Sequence, residues 1–126
     1  MSYSVTYDSK NHLILIVHKG VVDKSVLNKS RSEAARLAKQ YNCFNILADL
    51  REATSGISTI DIFKLPQTTS EQLFAAGLNI SQFKRALVVA QEFGDPAFFE
   101  AVSTNRGQNV KLFRNLEKAK KWLFGD

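Results

Sequence analysis

With a single cysteine, Cys43, the chain cannot close an internal disulfide, which suits a reducing compartment and points to the cytoplasm. Its opening residues, Met1 to Val5, carry neither the basic nor the apolar stretch of a secretory signal. The longest aliphatic run, Leu13 to Val17, falls far short of the roughly 20 apolar residues that a membrane-spanning helix requires. No integral membrane association is expected. A glycine-rich dinucleotide fingerprint, a P-loop and a Gly-x-Ser-x-Gly elbow are all missing, so nothing points to an enzyme. Metal ligands are equally sparse, with no second cysteine, no His-x-x-x-His spacing and no clustered carboxylates. His12 and His18 fall on one predicted strand about 20 Å apart, too far to share an ion, and no cofactor is expected. Cys43, with no histidine near it in sequence, reads as a small packed hydrophobe.

What is present suffices for an ordinary core. The 126 residues are 44% hydrophobic and 23% charged, and no stretch is depleted of large apolar side chains, so residues 1–126 are predicted to form one domain. Seventeen Lys and Arg outnumber twelve Asp and Glu, a formal charge of +5. The basic residues concentrate in Lys24 to Lys39 and Lys111 to Lys121, and both segments keep the apolar periodicity of packed elements. They read as solvated basic faces, and nucleic acid is not an expected partner.

Tyr3 to Tyr7 alternates, a turn signal follows at Asp8 to Asn11, and His12 to His18 is nearly all aliphatic, which predicts a β-hairpin ended by Gly20. Asp23 then offers an N-cap to a helix with Leu27, Ala34, Ala38 and Tyr41 on its apolar stripe and Lys24, Lys29, Arg31, Arg36 and Lys39 on its other face. Phe44 to Leu50 is a buried strand and Arg51 to Ile57 a loop. Helical signals run from Ser58 to Ala76, where Pro66 predicts a kink or two shorter helices and Gly77 a C-terminal stop. Lys84 to Ala90 is the next strand, and Asp95-Pro96 opens a helix ending near Asn105 to Gly107. Asn109 to Phe113 and a helix capped by Asn115 close the chain. The fold class is α/β: an N-terminal hairpin, then alternating strands and helices, giving a mostly parallel mixed sheet covered by about four helices.

The run Ile46-Leu-Ala-Asp-Leu50, leading through a short loop to Ser58 and a helix, resembles the STAS domain of anti-sigma-factor antagonists. The Gly20 break, Leu47-Ala-Asp-Leu-Arg51, Asp61-Ile-Phe63, Ala86-Leu-Val-Val89 and Val110-Lys-Leu-Phe113 with Ala119 and Trp122-Leu123 resemble the SpoIIAA-like proteins more closely. The resemblance implies a non-enzymatic interaction or regulatory module with a protein partner or a homodimer. It also implies a phosphorylated serine at the position of Ser58, nine residues after Asp49, although Ile57 stands where that family has an acidic residue and Thr59-Ile60 where it has Ser-Gly.

Three sets of residues are candidate sites. Ser58 and Asp61 are placed for a regulatory phosphate at a helix N-terminus or, more plainly, for a capping box. Asp49 and Arg51, at the predicted end of a central strand, could orient a polar ligand, pair with each other or cap the loop. Ile60, Phe63, Leu73 and Phe74 belong to a segment richer in apolar residues than one buried stripe requires, which suggests an interface or a groove for a small apolar ligand or lipid near Ser58 to Ala76.

Overall fold

The alternating start and the aliphatic run after it pair as an antiparallel hairpin, β1 (Tyr3–Asp8) on β2 (Leu13–Val22), with Tyr3 opposite His18 and Asp8 opposite Leu13. Asp8 shapes the turn by accepting the amides of Lys10 and Asn11 at 3.0 and 3.3 Å. His12 lies in that turn at φ 53°, and so precedes the strand instead of opening it. The computed structural model describes residues 3–90, 93, 98 and 108–125.

Asp23 caps α1 (Lys24–Tyr41), its carboxylate accepting the Val26 amide at 2.8 Å. β3 (Asn45–Ser55) runs parallel to β2 and continues through most of the predicted loop. Its extension depends on a bulge. Val17 pairs with Asp49 and Lys19 with Glu52, so Leu50 and Arg51 together face His18. Gly20 likewise does not end β2; at φ 76° it stays within the strand, opposite Ala53.

α2 (Thr59–Ala75) is one helix that passes through Pro66. The proline forfeits one backbone bond, but Ile62 before it and Thr69 and Leu73 after it are all buried, and their burial holds both halves to the sheet. The helix ends as a Schellman motif: Gly77 at φ 83° donates to Phe74 O and Leu78 donates to Leu73 O. A short 3-10 turn, Ile80–Gln82, leads to β4 (Lys84–Val89), β5 (Asn109–Phe113) lies parallel beside it, and Asn115 caps α3 (Leu116–Phe124).

The strands lie in the order β1-β2-β3-β4-β5, with only the first pair antiparallel. Among the described residues three α-helices cover the sheet, where about four were expected; the helix predicted from Asp95 lies outside them apart from Phe98. α1 and α2 pack on the face of Ile14, Ile16, Ile46 and Ala48, while α3 packs through Ala119 and Leu123 on the opposite face of Leu13, Leu47, Ala86 and Val88.

Candidate functional site

Ser58 is the N-cap of α2. Its Oγ accepts the Asp61 amide at 3.3 Å and donates to Asp61 Oδ2 at 3.0 Å, while Asp61 Oδ1 lies 3.6 Å from Lys24 Nζ. The carboxylate therefore meets the serine hydroxyl and ties the start of α2 to the start of α1.

Because β3 continues to Ser55, Asp49 and Arg51 lie within the strand and not at its end. They pair with each other, Arg51 Nε and Nη2 reaching the two carboxylate oxygens at 2.9 and 2.8 Å, and Asp49 Oδ1 also accepts the Arg51 amide at 3.1 Å. That amide belongs to the bulge, where a ladder partner is lost, so the carboxylate has a local structural task. The Arg51 side chain holds Asp49 below the usual carboxylate range.

The four apolar candidates are not brought together. Ile60, Phe63 and Phe74 are 70%, 51% and 78% exposed, whereas Leu73 is 5% exposed and packs in the core under α2. On the outer side of the helix, exposed Gln67 and Glu71 separate Ile60 and Phe63 in the first turns from Phe74 in the last. Of the remaining candidates, His12 Nδ1 meets Tyr7 Oη at 2.8 Å in the hairpin turn. Cys43 is buried, its thiol donating to His12 O at 3.3 Å and pushed up in pKa by burial, so it is held as a thiol. Among the described residues no three His, Cys, Asp or Glu side chains are grouped to hold a metal ion, and no helix is long and apolar enough to cross a membrane.

The distinctive chemistry lies on the inner side of α2. Between the sheet and the two helices is a cavity of about 140 Å³ lined largely by aliphatic and aromatic residues, including Ile16, Leu27, Ile46, Leu65, Leu73 and Leu87. Into these walls are set His18, Ser30, Arg31, Thr69, Arg85 and Gln108. Arg85 comes from the middle of the sheet, flanked by Ile46 on β3 and Val110 on β5. Arg31 comes from α1, four residues after Leu27 and three before Ala34, and so stands on the apolar stripe and not on the solvated face.

Among the described residues the hydrogen-bond partners of both guanidiniums are neutral. Arg31 donates to Thr69 Oγ1 and, at 2.7 Å, to Asn28 Oδ1; Arg85 donates to Gln108 Oε1 at 2.6 Å, and Gln108 Nε2 donates to Pro66 O at 2.7 Å. The Nε of each arginine is shut away from solvent without a partner. Burial, joined at Arg85 by the charge of Arg31, pushes both pKa values down to about 10, so the two cations lie within each other's field. His18 is 2% exposed, and its Nε2 meets Ser30 Oγ at 3.2 Å. Because that hydroxyl donates to Leu27 O at 3.1 Å, Nε2 carries the proton and Nδ1 is an acceptor, buried and unpaired. Burial lowers its pKa, which keeps the ring neutral.

Neither arginine stands out in the sequence. Arg31 looks like one more member of a basic helix, and the available signal is its angular position between Leu27 and Ala34. Arg85 occupies the inward parity of Leu87 and Val89 in an otherwise aliphatic strand.

This chain superposes over 98% of its length on 99% of the anti-sigma factor antagonist SpoIIAA in its unphosphorylated form, with a TM-score of 0.59 and 12% sequence identity. The fold is SpoIIAA-like. An uncharacterised protein of the DUF3478 family with a SpoIIAA-like fold, from Shewanella loihica PV-4, matches 96% of this chain over 91% of its own, with a TM-score of 0.56 and 14% identity. No protein-family model matches the sequence, and no curated protein matches it. The likeness is one of backbone, so the expected phosphoserine and partner do not transfer with it.

Proposed function

We propose that the chain is a non-enzymatic binding module in which a SpoIIAA-like fold receives a small molecule beneath α1 and α2. The observation that carries this reading is the cavity itself, about 140 Å³ with apolar walls into which polar groups are set. Its size is close to the ~150 Å³ of an engineered apolar cavity that holds benzene. An apolar enclosure with a few convergent polar groups is the usual form of a small-ligand site. The reading keeps the ligand near Ser58 to Ala76 but moves it from the outer to the inner side of the helix. Titration of methyl-labelled protein with neutral probes, benzene and 1-hexanol, is the test. Saturable shifts confined to the methyls of Leu27, Leu65, Leu73 and Leu87 are expected, and their absence refutes the reading.

A second reading, a regulatory module with a protein partner or a second copy of itself, is favoured by Ile60 and Phe63, exposed beside Ser58 on a fold shared with an anti-sigma factor antagonist. Self-association that weakens in Phe63→Ser during sedimentation equilibrium would support a homodimer through this end of α2. Identical monomeric behaviour of both proteins would remove it.

A further inference from the structure

An apolar ligand alone leaves the electrostatics of the cavity unresolved. Two guanidiniums are held in its walls, and the ion pairs among the described residues, Lys19 with Glu52, Lys24 with Asp61 and Arg51 with Asp49, involve neither of them. Neutral acceptors satisfy part of each fork, and both Nε donors are left over. A buried charge is ordinarily paired, because desolvation without a counter-charge is costly, and here two like charges add their mutual repulsion. An anion between them would offset both penalties at once.

The geometry restricts which anion. A guanidinium presents its donors as a planar fork, which matches a planar carboxylate bidentately. A phosphate ester would bring a larger and more strongly hydrated charge into walls whose other polar side chains, Ser30, Thr69 and Gln108, already bond protein groups. The cavity as a whole, comparable to the ~150 Å³ that accepts benzene, holds a small acid with a short aliphatic chain or a single ring and not a long acyl chain.

We propose that the ligand is a small organic acid whose apolar body lies among Leu27, Leu65 and Leu87 and whose carboxylate is shared by Arg31 and Arg85. This rests on the cavity being a ligand site, and the experiment separates the two ideas. The full chain is titrated calorimetrically with hexanoate, 1-hexanol and hexanamide, then again as Arg85→Gln and Arg31→Gln, with circular dichroism to establish that each variant is folded. Hexanoate is expected to bind at least about tenfold more tightly than the two neutral probes, and each substitution is expected to bring the three within about twofold of one another while 1-hexanol binding persists. Equal affinity of the wild-type chain for all three probes overturns the acid assignment and leaves the cavity reading standing. Binding of none of them overturns both. A preference for hexanoate that survives both substitutions places the carboxylate elsewhere and also overturns the proposal. Should one variant fail to fold, the other carries the comparison.

Discussion

Replacing Arg85 by methionine should stabilise the ligand-free protein, a sign opposite to that of most core substitutions. Burial and the nearby Arg31 hold the guanidinium pKa near 10, well below its ordinary value, which corresponds to a penalty of about 3 kcal/mol on the charged form in the fold. Both values lie above neutrality, so Arg85 is charged in the folded and the unfolded chain at pH 7 and the whole penalty is present there. It would be relieved only as pH rises through the folded value. Methionine removes the charge and fills the space between Ile46 and Val110 with an unbranched apolar chain. Against this, the 2.6 Å bond to Gln108 Oε1 is lost and that acceptor is left open, at a cost of about 1 kcal/mol. The balance is a gain of about 1 to 2 kcal/mol, which for a urea m-value of about 1 to 2 kcal/mol/M moves the unfolding midpoint up by roughly 1 M. Urea titrations followed by circular dichroism measure it directly. A midpoint that falls by the same amount with an unchanged m-value would show Arg85 to be a satisfied structural group, because breaking a compensated buried charge is strongly destabilising. A carboxylate site at Arg85 would then have no unpaired charge to serve.

Other substitutions test the remaining features. The folded pKa of His18 is depressed by burial, so its contribution to stability is complete above 6.5 and is lost as pH falls from there through the folded value; His18→Phe should flatten that part of the stability curve, read as urea midpoints at neutral and mildly acidic pH. Ser58→Ala should cost about 1 kcal/mol in thermal melts and Ser58→Asp less, since aspartate also caps; a change in probe binding by Ser58→Asp beyond its effect on stability would instead mark a switch. Asp49→Asn should cost about 1 to 2 kcal/mol through the bulge amide and the Arg51 fork, and should leave affinity for neutral probes within about twofold, because Asp49 shares the strand parity of Leu47 on the face away from the cavity.

Features written in local residue patterns were legible before any coordinates. The hairpin turn at Asp8, the Asp23 cap, the glycine stop at Gly77, and the limits of β5 and the start of α3 follow from side chains that act within a few residues of themselves. Features that depend on a neighbour were not. The continuation of β3 past Leu50 requires β2 alongside and a bulge to shift its register, and the persistence of α2 through Pro66 requires the sheet beneath Ile62 and Leu73. The cavity is further removed still. It joins residues of β2, α1, β3, α2, β4 and β5, and a charged side chain in an amphipathic pattern is ordinarily assigned to water. Arg31 broke that rule in a helix rich in Lys and Arg, where one more cation attracts no notice.

From one edge of the sheet to the other, the strands follow the order of the chain. Open α/β sheets commonly bind ligands where the strand order reverses, because helices leaving to opposite sides part a crevice over the carboxyl ends of the strands. Here β2, β3, β4 and β5 are each laid beside the last in a single direction, and no reversal occurs among them. Such an order lacks the crevice that a reversal opens. A molecule in the proposed cavity would lie between helix and sheet and not at the strand ends, beneath α1 and α2, the second of which carries Ser58, Asp61 and the exposed Phe63 at its start.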